Sequence, residues 1–77
     1  MPRLPNTWRL AIANANVPNM VGQISTALAT AGLNIADLLN KSRGDVAYTI
    51  IDTDAGVPES TVERVRAIDG VLSVRLL

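Results

Sequence analysis

The spacing of apolar residues changes along the chain, and each change marks an element. From Thr7 to Ala13, Trp8, Leu10 and Ile12 alternate with Thr7, Arg9, Ala11 and Ala13, the period of two expected of a half-buried strand. Asn14-Ala15-Asn16-Val17-Pro18-Asn19 breaks the alternation with turn formers and reads as a loop. Met20, Val21, Ile24, Ala27, Leu28 and Ala31 then recur at helical spacing and form one apolar stripe. Pro18 suits the first turn of that helix, where a missing N–H costs nothing, and Gly32 suits the position just past its end. The stretch from Asn34 to Arg43 has two readings. It is a helix start capped by Asn34, or a strand in which Ile35, Asp37 and Leu39 alternate with Ala36 and Leu38. Arg43-Gly44-Asp45 is a turn signal, followed by the β-forming run Val46-Ala47-Tyr48-Thr49-Ile50-Ile51. After the loop Asp54–Pro58, a second helix is predicted from about Pro58 to Ile68, with Val62, Val65 and Ile68 facing inward. Glu59 and Glu63 lie toward its start and Arg64 and Arg66 toward its end, as the helix dipole favours. Asp69-Gly70 stops it, and Val71 to Leu77 forms a last strand.

With the ambiguous stretch taken as a strand, the order is strand, helix, strand, strand, helix, strand. The compact solution for that order is the split βαβ arrangement: an α+β, ferredoxin-like βαββαβ sandwich with two helices on one face of a four-stranded antiparallel sheet. Seventy-seven residues allow one domain. Residues 7–77 are expected to form it, with Met1–Asn6, which hold two prolines, as a lead-in or linker stub. A chain this small buries only about 60% of its unfolded surface, and without cysteine it has no covalent support. Self-association is the expected additional source of stability.

Composition then removes several classes of function. Seven basic residues balance seven acidic ones, so the phosphate neutralisation on which nucleic-acid affinity depends has no basis here. The βαββαβ order also serves RNA-recognition domains, which stack bases on aromatic residues of the sheet. Here Trp8 and Tyr48 are the whole aromatic complement. No apolar run reaches the length of a membrane span, and the first residues carry no hydrophobic signal core. A cytoplasmic location is the resulting expectation. With neither histidine nor cysteine, the usual general base and the best neutral-pH nucleophile are absent. Asp52 and Asp54, two apart at a strand end, are read as solvated loop carboxylates, not as a metal site. No phosphate-binding glycine motif occurs. No cofactor, metal or catalytic residue is therefore expected.

The feature that remains is a group of asparagines: Asn14, Asn16 and Asn19 before the first helix and Asn34 after it. They are explained as turn and cap residues. The pattern favours that account; the other is a ligand site, where the helix N-terminus offers N–H groups to a carboxylate and the amides donate to it or accept from an ammonium.

Asn16-Val17-Pro18-Asn19-Met20-Val21-Gly22-Gln23-Ile24, then Gly32-Leu33-Asn34-Ile35-Ala36-Asp37, then Ala47-Tyr48-Thr49-Ile50-Ile51-Asp52 resemble the C-terminal regulatory ACT domain of D-3-phosphoglycerate dehydrogenase. The resemblance extends from about Thr7 to Leu77. It implies a strand over Asn34–Arg43, a homodimer formed through the sheet edge, and L-serine or another amino acid bound between two subunits as a feedback inhibitor. It implies a site built from the loop before the first helix and from the start of the second strand of the partner: Asn14, Asn16, Val17, Pro18, Asn19, Met20, Val21, Asn34 and Ile35. Asn14 stands where the best-known members carry histidine, and Asn19 where the turn has glycine. The alternative is a structural ACT dimerisation module without a ligand.

Overall fold

The computed structural model describes residues 5–77; residues 1–4, most of the expected lead-in, lie outside the described residues. The elements are β1 (Trp8–Ala15), α1 (Met20–Thr30), β2 (Ile35–Arg43), β3 (Val46–Thr53), α2 (Glu59–Arg66) and β4 (Val71–Leu76). The strands form one antiparallel sheet in the order β2-β3-β1-β4. Each helix therefore connects two strands that leave room for a third between them, which is the ferredoxin-like βαββαβ sandwich.

Alternation along β1 and β3 builds the core. Leu10 and Ile12 from β1, Ile51 from β3 and Val74 from β4 face the helices and are buried. Met20, Ile24, Ala27 and Leu28 from α1 and Val62 and Val65 from α2 close over them. Removing this apolar area from water is the main force holding the layers together. Ile68, just past α2, packs against the same cluster with Leu38 and Val71.

The helix ends explain where the elements stop. At the end of α1, the N–H of Leu33 reaches the Leu28 carbonyl (3.1 Å) and that of Gly32 reaches Ala29 (2.9 Å). With Gly32 at φ +79°, this is a Schellman cap, and Leu33 folds back as a buried hydrophobic partner. α2 begins after Pro58, which holds an extended backbone at the cap position.

Several local expectations need correction. β1 does not stop at Ala13 but continues through Asn14 to Ala15, because β3 pairs with both residues, β4 pairs with Asn14, and the Ala15 N–H donates to the Gly70 carbonyl. Pro18 lies before the first turn of α1 and not within it. The α2 helix is shorter than expected, ending at Arg66. Trp8 shares the helix-facing parity, yet it is 41% exposed because it sits at the end of its strand. The ambiguous stretch is a strand, β2. Seven of its nine residues are exposed, as befits an outer strand whose side chains have little sheet or helix to cover them.

Candidate functional site

The loop from Asn16 to Asn19 links the end of β1 to the start of α1. The backbone N–H of Asn16 donates to Asp45 (2.8 Å) and the side-chain amide of Asn16 donates to the Gly44 carbonyl (3.0 Å). Both acceptors belong to the β2–β3 turn, so one asparagine staples the loop to the tip of that hairpin. Val17 is half exposed, and its N–H is engaged by the Ala15 carbonyl. Pro18 has no N–H to offer. The donors at this turn include the backbone amides of Asn19, Met20, Val21 and Gly22, ahead of the first helical bond from Gln23 to Asn19, at the positive end of the α1 dipole.

Asn19 occupies the N-cap position of α1 in a left-handed backbone, φ 64°, and its side chain makes no capping hydrogen bond. Asparagine is the residue besides glycine that tolerates this conformation, which accounts for its standing where the resembled family has glycine. Its Oδ1 lies over Gly22, where a Cβ would come within 2.4 Å. The side chain therefore folds back onto the first turn of the helix.

Asn14 is placed differently from the loop position expected for it. It lies within β1 on the helix side of the sheet and is 1% exposed. Its Oδ1 accepts from the Thr49 hydroxyl (2.9 Å), its Nδ2 donates to the Ala15 carbonyl (3.0 Å), and Thr49 accepts in turn from Asn40 Nδ2 (2.9 Å). This chain of three side chains crosses β2, β3 and β1, and it satisfies a polar group that would be costly to bury alone. Strand parity carries the signal for it, since Asn14 continues the inward series Leu10 and Ile12. Thr49 and Asn40 were not singled out by the sequence.

Asn34 and Ile35 are at the other end of the sheet. Ile35 pairs with Thr53, and Thr53 with Trp8. Asn34 donates through its backbone N–H and its side-chain amide to the Asp54 carboxylate (3.3 and 3.1 Å). Within one copy, Asn16 and Asn34 are thus separated by the length of β1, roughly 25 Å at the usual rise per residue. The loop and the strand start are not brought together by the fold of a single chain.

Asp52 is not the solvated loop carboxylate expected. It is fully buried on the helix-free face of the sheet and forms a two-pronged ion pair with Arg9 across β1 and β3, at 2.8 and 3.0 Å. The hydrogen bond to Asp52 holds the Arg9 guanidinium above its ordinary value, against the opposing effect of burial, and the charges of Asp52 and Asp37 add to it. Asp54 is exposed. Among the described residues no cluster of three His, Cys, Asp or Glu side chains is placed to hold a metal ion, and no helix is long and apolar enough to cross a membrane. A concavity of about 440 Å³ is an open groove between α1 and α2 lined in part by Asn19, Gln23, Thr26 and Arg64.

This architecture defines a class, the ferredoxin-like βαββαβ sandwich with one bare sheet face and an exposed outer strand. Within it, the chain is similar to solved ACT domains. It matches the ACT domain of GTP pyrophosphokinase from Chlorobium tepidum at TM-score 0.77 and 15% identity, covering 92% of this chain and 96% of that one. It matches the regulatory subunit of aspartate kinase from Thermus thermophilus, ligand-free form, at 0.75 and 10%, covering 94% of this chain and 50% of that one. It matches a homoserine dehydrogenase from Thiobacillus denitrificans at 0.77 and 20%, covering all of this chain and 19% of that one. At these identities the likeness is one of fold: the chain has the ACT-domain fold. No protein-family model matches the sequence, and no curated protein matches it.

Proposed function

We propose that this chain is a non-catalytic regulatory module that binds a small amino acid, L-serine first, between two copies joined edge to edge. The observation that carries the reading is the separation of Asn16 from Asn34 together with the exposure of β2. A two-fold axis that pairs β2 with the same strand of a second copy runs the two strands in opposite directions. The Asn34 end of one copy then meets the Asn16 loop of the other, and two half-sites become two whole ones. In this reading the ligand carboxylate lies at the amides of Asn19, Met20 and Val21, beside Val17 and Pro18, and Asn16 and the partner's Asn34 and Ile35 hold the ammonium and hydroxyl. Asp54, hydrogen-bonded to Asn34, adds a carboxylate that favours the ammonium end. Asn14 acts from below by fixing the end of β1. The similarity to a solved structure described as the regulatory subunit of aspartate kinase supports a regulatory role, as does the absence of histidine and cysteine. The resemblance to the dehydrogenase ACT domain supports serine and a link to serine biosynthesis. Regulation follows when the ligand binds one arrangement of the parent assembly more tightly than another.

Thermal unfolding with each amino acid tests this. Ligand that binds only the folded dimer stabilises by RT ln(1 + [L]/Kd), about 2.7 kcal/mol at a hundredfold excess over Kd. The expected result is a serine-dependent rise in Tm that both Asn16→Ala and Asn34→Ala remove. A serine response that survives both substitutions refutes the site.

A second reading is a structural dimerisation module. One observation favours it: the Asn16 and Asn34 amides already have partners within the chain, Gly44 and Asp54. It predicts a dimer whose Tm is unchanged by every amino acid.

A further inference from the structure

We infer that the two copies pair through β2 in one register, with the two-fold axis at Leu39, so that Asp37 lies opposite the partner's Lys41. The inference rests on the edge-to-edge reading above and adds to it the geometry of the interface.

Leu39 is the midpoint of β2, which runs from Ile35 to Arg43. With Leu39 on the axis the regularly paired stretch from Asp37 to Lys41 overlaps fully with its copy, and the two Leu39 side chains meet. Leu38 and Leu39 are also the two residues of β2 that are partly buried in one copy, while the remainder are exposed. The partly buried pair Leu38–Leu39 thus lies at the middle of the strand.

Charge selects the same register. Asp37 and Lys41 flank Leu39 at equal distances and share its face of the sheet, since they pair with Asp52 and Tyr48 of β3 while Leu39 pairs with Ile50. Four residues apart on one strand, they are separated by roughly 13 Å and cannot neutralise each other. The salt bridges of the described residues are Arg9–Asp52 and Arg66–Glu63, so neither residue takes part in one. Asp37 moreover lies directly opposite Asp52, an unfavourable pairing of like charges, and Arg9 stands on the far side of Asp52. The partner's Lys41 beside Asp37 places a cation at each end of the row: Arg9, Asp52, Asp37 and the partner's Lys41. One Asp37 oxygen accepts from the N–H of Leu38, and the Arg9 guanidinium already attracts the Asp37 charge from beyond Asp52. Two-fold symmetry makes this pair twice.

Neighbouring registers do worse. An axis at Leu38 puts Asp37 opposite the partner's Leu39. An axis at Asn40 keeps an acid–base pair, Asp37 with the partner's Arg43, but sets Leu39 against the partner's Lys41.

The chain has no cysteine, so single cysteines introduced along β2 report the register directly. Opposed residues of an antiparallel pair have Cα atoms about 4.5–5.5 Å apart, within the range a disulfide spans. Under mild oxidation, Leu39→Cys is expected to cross-link into dimers at least tenfold faster than Leu38→Cys or Asn40→Cys. Asp37→Lys and Lys41→Asp alone are each expected to weaken the dimer roughly tenfold in sedimentation equilibrium, and together to restore it. A maximum at Leu38→Cys or Asn40→Cys, or a double charge swap that fails to restore association, overturns the register while leaving the edge-to-edge reading standing. A wild-type monomer, or a wild-type dimer in which no β2 cysteine cross-links, overturns both.

Discussion

Replacing Thr49 by valine removes one hydroxyl from the centre of the buried polar chain and leaves the shape of the side chain almost unchanged. Thr49 is fully buried and Asn14 nearly so, and the Thr49 hydroxyl is what Asn14 Oδ1 accepts from. No cavity forms, so the transfer and cavity costs of a core truncation do not enter. The loss comes from Asn14 Oδ1, left buried without a donor, which costs about 1–3 kcal/mol. Asn40 loses its acceptor as well, but it is exposed on the outer strand and recovers a water. At about 4–8 °C per kcal/mol for a domain of this size, Tm falls by roughly 5–20 °C. Urea unfolding followed by circular dichroism is the direct assay, with a lower midpoint at unchanged slope. The double variant Asn14→Leu with Thr49→Val removes both partners and is expected to recover most of the loss, since replacing both ends of a buried hydrogen bond by apolar groups is close to neutral. A single Thr49→Val variant within about 0.5 kcal/mol of wild type, smaller than the orphaned-acceptor penalty, refutes the reasoning. So does a double variant whose losses simply add.

Two further outcomes follow from the core and the bare sheet face. Leu28→Ala empties a fully buried position beneath α1 and costs about 2–5 kcal/mol. That is comparable to the whole net stability of so small a core, roughly 3–5 kcal/mol, so the variant is expected to be largely unfolded by circular dichroism at 25 °C. Arg9→Gln strips the buried Asp52 of its ion-pair partner and is expected to lower the urea midpoint well beyond Arg75→Gln, an exposed change on the same face. Equal midpoints for the two variants exclude a role for the pair.

The elements were written locally, and for physical reasons. The stripe from Met20 to Ala31 repeats at helical spacing because one helical face is buried, and Gly32 marks its end because a left-handed residue closes the Schellman cap. The alternation of Leu10 and Ile12 marks β1 because its two faces meet different surroundings. Given those elements in that order, the ferredoxin-like sandwich is close to forced. The β2 segment was different. As an outer strand, mostly exposed, it carries little burial pattern, and its local sequence fits a capped helix as well as a strand. Its pairing with β3 decides the matter, and that pairing is a long-range fact. Asn14 likewise reads as a turn former, and its burial depends on β3 and β4 extending far enough to pair with it. The Asp52–Arg9 pair joins residues 43 apart, which no spacing rule links. The sequence alone determined the core-facing stripes and the end of α1, since those depend on neighbours within a few residues, while the ends of β1 and α2 were set by their packing. Only the tertiary structure decided that Asn16 and Asn34 stand at opposite ends of one sheet, because that separation is set by how strands distant in the chain align.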